Sequence, residues 1–132
     1  MIKPLMSLLV AGLLGGCAIQ PDTSSPLTGR EWIVGTIDDR PVLDTSRPSL
    51  TFSIDGQVSG SAGCNRFMAR YQRLGENAIQ IRQAATTMMA CPEALMQQER
   101  RFLDLLEHLN RFKIDPQGNL ILTGEQHRIL AH

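Results

Sequence analysis

The apolar residues of this chain change their spacing at Pro92, and that change limits the fold more than any other feature of the sequence. Between Pro92 and Asn110, Leu95, Phe102, Leu106 and Leu109 stand seven, four and three residues apart, the stripe of one amphipathic helix. Pro92 suits the first turn, and Glu93 sets negative charge near the positive end of the helix dipole. Elsewhere the runs are short and strand-like. Residues 31–37 are β-branched and aromatic, and 50–54 and 57–62 alternate across an Asp55-Gly56 hairpin signal. Phe67, Ala69 and Tyr71 share one face of a strand, with Met68 and Arg70 on the other. Residues 78–82, 111–114, 120–123 and 128–130 complete the set, separated by turns such as Gly75-Glu76-Asn77 and Pro116-Gln117-Gly118-Asn119. The expectation is an α+β domain, one amphipathic helix packed on a curved antiparallel β-sheet. The small residues at 59–62 mark a place where another backbone comes close.

The N-terminus carries an address. Lys3 is followed by an apolar run at 5–14 and then by Leu14-Gly15-Gly16-Cys17. A charged start, a short apolar stretch and small residues before a cut are the parts of a secretory signal, and the run is too short to span a membrane. The small residues before Cys17 resemble a bacterial lipobox. The resemblance implies cleavage before Cys17, with palmitate-type acyl chains on its thiol and new amine. Several such chains anchor firmly, because each buried methylene contributes about 0.8 kcal/mol. Ala18, in place of an aspartate, implies the outer membrane with the domain on its periplasmic face. Removing the first 16 of 132 residues leaves 116 and, with Lys3 gone, 12 basic against 13 acidic side chains, a net charge of −1. Such a balance excludes the charge footprint of a nucleic-acid binder. The expected organisation is a signal peptide at 1–16, a lipidated tether at 17–28 and a domain at 29–132. The eleven tether residues after Cys17, if flexible, reach about 18 Å.

Once Cys17 is assigned to lipid, an even pair remains, Cys64 and Cys91. In an oxidising periplasm the default is a disulfide, closing a loop of about 28 residues and stabilising by about 3.6 kcal/mol on the chain-entropy model. Two separate buried thiols are the alternative. Neither cysteine has a second ligand at metal spacing, and His108, His127 and His132 stand apart along the chain, so no metal site is expected.

Gly60-Ser61-Ala62-Gly63-Cys64-Asn65-Arg66-Phe67, followed by Thr87-Met88-Met89-Ala90-Cys91-Pro92 and the helix, resembles the META domain over residues 27–131. With a lipobox in front, the chain is similar to the HslJ-like heat-inducible (heat shock) lipoproteins. The resemblance implies a half-barrel-like sheet, a part in envelope or heat stress and in antibiotic (novobiocin) tolerance, and no established catalytic residues. Asn65, Arg66, Phe67, Thr87 and Met89 are the motif positions where binding would be sought. Two positions depart from the family pattern: Ala69 replaces an expected glycine, and Met88 stands where a long polar residue is common.

Read by themselves, these residues point mainly to structure. Asn65 is expected to make a tight turn in the left-handed region, with a ligand contact as the alternative. Met68, Met88, Met89 and Met96 are expected in the core, with a soft surface for variable partners as the alternative. Arg66 and Arg70 share a strand face that Arg73 does not; a solvated face is expected there rather than an anion site. No nucleophile stands beside a base and no glycine loop opens a helix, so the expectation is a non-enzymatic, monomeric domain without cofactors. Its partners would be the membrane, through the anchor, and an envelope protein or peptide. A secretion pilot or assembly lipoprotein holding a peptide or lipid, and an inhibitor of a cell-wall-degrading enzyme, are the alternatives.

Overall fold

The computed structural model describes Gly16 and residues 25–132; the expected signal peptide, Cys17 and most of the tether lie outside the described residues. The elements follow in the order β1 (Glu31–Ile37), β2 (Arg40–Pro41), β3 (Ser49–Phe52), β4 (Gln57–Ser61), β5 (Arg66–Arg73), β6 (Ile79–Thr86), α1 (Glu93–His108), β7 (Arg111–Ile114), β8 (Leu120–Thr123) and β9 (Arg128–Ala131). Eight strands form one antiparallel sheet in the order β6-β5-β4-β3-β1-β9-β8-β7, and β2 pairs with β1. The sheet curls until its two ends meet at one corner. There Ala78 bridges Arg111, Ile79 N–H donates to the Asn110 carbonyl at 3.1 Å, and Phe112 N–H donates to that of Asn77 at 3.0 Å. Helix α1 connects these two end strands and packs beside β6, so the fold is the expected α+β half-barrel with one helix on it.

The alternation in each strand decides which side chains fill the barrel. Trp32 and Val34 of β1, Leu50 and Phe52 of β3, Phe67 and Ala69 of β5, and Ile79 and Ile81 of β6 point inward. Phe102, Leu105 and Leu106 of α1 join them, as do Leu120, Leu122 and Ile129 of β8 and β9, and Phe67 meets Phe102 edge to face with ring centroids 5.7 Å apart. Ala69, the departure from the family pattern, lies within β5 against Val58 of β4 and faces the core. Leu27 is fully buried, and Trp32 Nε1 donates to its carbonyl at 2.9 Å. The packed region therefore starts two residues ahead of the boundary read from the sequence. Among the described residues the buried apolar side chains all lie between Leu27 and Ala131, so this segment carries its own core.

The close approach expected at 59–62 is present at Gly60, where any Cβ would collide with the Ser49 carbonyl on β3. Pro92 caps α1, its carbonyl accepting from the N–H groups of Leu95 and Met96. Glu93 sits in the first turn and is held below the usual carboxylate range, chiefly by the hydrogen bond from Arg100.

Candidate functional site

The two sequence blocks that carry the family resemblance are brought together at the start of β5. Cys64 and Cys91 form a disulfide, with Cα atoms 6.3 Å apart, joining the turn before β5 to the loop before α1. Arg66 and Thr87 exchange hydrogen bonds alongside it: Arg66 N–H donates to Thr87 Oγ1 at 3.1 Å, and Thr87 N–H donates to the Arg66 carbonyl at 3.0 Å.

Asn65 stands at the centre. Its backbone N–H donates to Glu99 Oε1 at 2.7 Å, and its Nδ2 donates to Glu99 Oε2 at 2.8 Å. Its Oδ1 accepts from Met89 N–H at 2.6 Å and from Thr87 Oγ1 at 3.0 Å, while Nδ2 also reaches the Met89 carbonyl at 3.4 Å. A side-chain amide has two donor hydrogens and an oxygen with two lone pairs. All four positions are used inside the protein. Asn65 is 3% exposed and Glu99 4%, so the exchange takes place away from water, where an unmet partner would be costly.

This arrangement corrects the left-handed conformation expected of Asn65. Among the described residues, the non-glycine residues in the left-handed region are Asp38, Asp39 and Gln83, not Asn65. The chain does turn at residues 63–65, with Ala62 N–H donating to the Asn65 carbonyl at 2.7 Å, but Asn65 makes this turn outside the left-handed region and ties three segments through its side chain. Glu99 was missed by sequence reasoning, though a signal existed. It lies four residues after Leu95 and three before Phe102, a carboxylate on the apolar stripe of α1.

The remaining motif residues divide between inside and outside. Phe67 is core, whereas Arg66 is exposed, and Met88 and Met89 are 93% and 60% exposed. The core role expected for the methionines is thereby corrected at Met68, Met88 and Met89. Met68 occupies an outward position of β5, and the backbone of Met89 is held by Asn65 in the loop outside the barrel. Met96 is half-buried.

Depressions elsewhere are shallow. One of about 380 Å³ lies over Arg70, Tyr71, Gln72, Gln80, Arg82 and Gln83. Another brings together His108 and His127, which sequence spacing had left apart; their ring centroids are 6.2 Å from each other. His127 Nδ1 lies 3.2 Å from Asp38 Oδ2, and His108 Nδ1 lies 2.8 Å from the Asp104 carbonyl. Among the described residues no group of three or more His, Cys, Asp or Glu side chains is placed to hold a metal ion, and no helix is long and apolar enough to cross a membrane. The Tyr71 phenol is raised above its ordinary pKa by burial, and it donates to the Ser53 carbonyl at 2.6 Å.

A curled antiparallel sheet with one helix laid over its opening, fastened by a disulfide and a buried amide–carboxylate pair, defines a small α+β half-barrel module. The META domain profile matches residues 25–132, and the chain belongs to the META domain family. No curated protein matches it. Two solved structures share the fold. An NMR structure of a protein from Burkholderia xenovorans is 23% identical, covering 99% of this chain and 96% of its own, with a TM-score of 0.64. A second NMR structure is 20% identical over 82% of this chain and 93% of its own, also with a TM-score of 0.64.

Proposed function

We propose that the protein is a lipid-anchored lipoprotein of the bacterial envelope, acting without catalysis in envelope or heat stress and antibiotic tolerance. Its META domain is a tethered module that meets partners from the periplasmic face of the outer membrane. The observation that carries this reading is the order of residues along the chain: Lys3 and a short apolar run at 5–14, Gly15-Gly16-Cys17, a stretch rich in Pro, Ser and Thr, and then a META domain. The Asn65 network fits a non-catalytic module, because its polar groups fasten the domain and leave none on that amide for a reaction. A rigid domain on a short tether binds with little loss of conformational freedom.

The test is a strain lacking the gene, challenged with heat and with novobiocin. Expected is sensitivity restored to normal by the wild-type chain and not by Cys17→Ser, which loses the anchor. Unchanged tolerance in the deletion strain would overturn the assignment to stress and antibiotic tolerance. Full rescue by Cys17→Ser would overturn the requirement for lipidation.

A second reading, a pilot or assembly lipoprotein that takes a peptide, is favoured by the exposure of Met88 and Met89, since methionines make adaptable apolar contacts. Loss of one secreted or assembled envelope protein in the same strain would select it.

A further inference from the structure

The charges of this domain are not evenly spread. Residues 56–92 contain Arg66, Arg70, Arg73 and Arg82 and a single carboxylate, Glu76. Strand register puts three of the four arginines on one surface, the outer face of β4, β5 and β6. Arg66, Met68 and Arg70 alternate along β5 with the buried Phe67 and Ala69, and Arg82 of β6 lies directly opposite Arg70. The outward positions of these three strands hold no carboxylate. Like charges placed opposite each other across a sheet destabilise it, so the Arg70–Arg82 pair is not explained by folding. None of the ion pairs among the described residues involves any of the four arginines.

Two acids border this face without forming an ion pair with its arginines; Asp55 is held below its ordinary pKa chiefly by the Ser53 hydrogen bond and in smaller part by the charge of Arg70. Asp55, at the turn beside Arg70, accepts from Ser53 Oγ and from Gln57 N–H. Glu107, which borders the next depression along with Arg82, accepts from Ala84 N–H at 3.3 Å. Between the arginines stands Met68, 54% exposed, on the same outward row. The chain also enters the domain here: Ser25 borders a depression with Gln72 and Arg73, and Gln72 in turn borders the one over Arg70 and Arg82.

We infer that this outer face, with Arg66, Arg70 and Arg82 around Met68, lies on a membrane leaflet containing anionic phospholipid. Guanidinium forks match the paired oxygens of a phosphodiester, and the exposed thioether suits the boundary between headgroups and acyl chains. The mature chain's net charge of −1 gives no general attraction to such a leaflet, so contact depends on this one face. The setting rests on the reading of Cys17 as an anchor. A tether that leaves the domain beside the arginine face would hold that face toward the leaflet.

The test uses residues 18–132, which lack Cys17 and its lipid but contain the whole core, so the result is independent of the anchor. Partitioning is measured by sedimentation with vesicles of phosphatidylcholine alone, or of phosphatidylcholine mixed with phosphatidylglycerol, at low salt. Expected is binding to the mixed vesicles that is lost in high salt. The Arg70→Gln, Arg82→Gln double variant should bind about 25-fold less, at about fivefold for each guanidinium removed. Its melting temperature should not fall. Removing the same charge from α1 with Arg100→Gln and Arg101→Gln should leave binding unchanged. Equal binding to both vesicle types, no binding to either, or equal losses in the two double variants would overturn the inference.

Discussion

Both carboxylate oxygens of Glu99 accept from Asn65, one from its backbone N–H at 2.7 Å and one from its side-chain Nδ2 at 2.8 Å. A helix residue thereby closes on the first residues of the motif strand, and Thr87 and Met89 close on the same amide from the other side. Replacing Glu99 by Ala leaves two buried donors without partners, which costs about 2–4 kcal/mol. Glu99→Gln keeps one acceptor but turns an NH2 group toward a donor, so its loss should be smaller. Urea unfolding midpoints check the order, with Glu107→Gln, on the exposed face, expected to change stability by less than about 0.5 kcal/mol.

Asn65→Asp probes the same contact through charge. It sets a second carboxylate against Glu99 at hydrogen-bond distance, where two like charges do not both ionise readily. The folded variant then holds a proton that the unfolded chain has released, so the shared pKa is raised by folding. That stabilisation is present at pH below the ordinary carboxylate range and is lost as pH rises through the raised value. The deficit relative to wild type should be about 2–5 kcal/mol at pH 7 and smaller at pH 5, as read from unfolding midpoints at the two values.

The disulfide spans a sequence separation of 27 residues, and breaking it should lower stability by about 3.6 kcal/mol through the freedom returned to the unfolded chain. Cys64→Ser should still fold, because the Asn65 network holds the same segments from inside. Denaturation of wild type with and without reductant measures the difference, and equal midpoints would show that the bond is absent in solution.

Strong acid should weaken the turn that Asp115 holds. Asp115 is held below its ordinary value of 3.8, first by the Asn119 N–H and then by the Asn119 side chain. A carboxylate whose folded pKa is depressed stabilises above its unfolded pKa and loses that contribution as pH falls through the folded value. The stability difference between wild type and Asp115→Asn should therefore be constant from pH 7 to pH 5 and shrink below pH 3.8.

Much of the fold was legible because the sequence states its periods clearly. Residues 31–37, 111–114 and 120–123 alternate or cluster apolar residues between strong turn signals, and β1, β7 and β8 occupy those spans. β6 runs to Thr86, past the stretch legible at 78–82, because Gln83-Ala84-Ala85-Thr86 has no alternation; the strand is carried on by pairing to β5 across an irregular register with Gln83 in the left-handed region. The motif site was legible as a pair of blocks but not as a network. Its closing partner, Glu99, lies on a helix whose stripe reads as apolar, and a carboxylate on such a stripe has meaning only when the facing donors are known. Likewise, His108 and His127 meet only because β8 and β9 fold back along the end of α1, a contact no local pattern states.

The proposed lipoprotein is a disulfide-fastened META domain hanging from a lipidated Cys17. The most direct test is the intact mass of the chain extracted from membranes, alkylated with and without prior reduction. Expected is the mass of residues 17–132 plus acyl groups, with two cysteines alkylated after reduction and none before. An unprocessed chain of 132 residues whose cysteines are alkylated without reduction would contradict it.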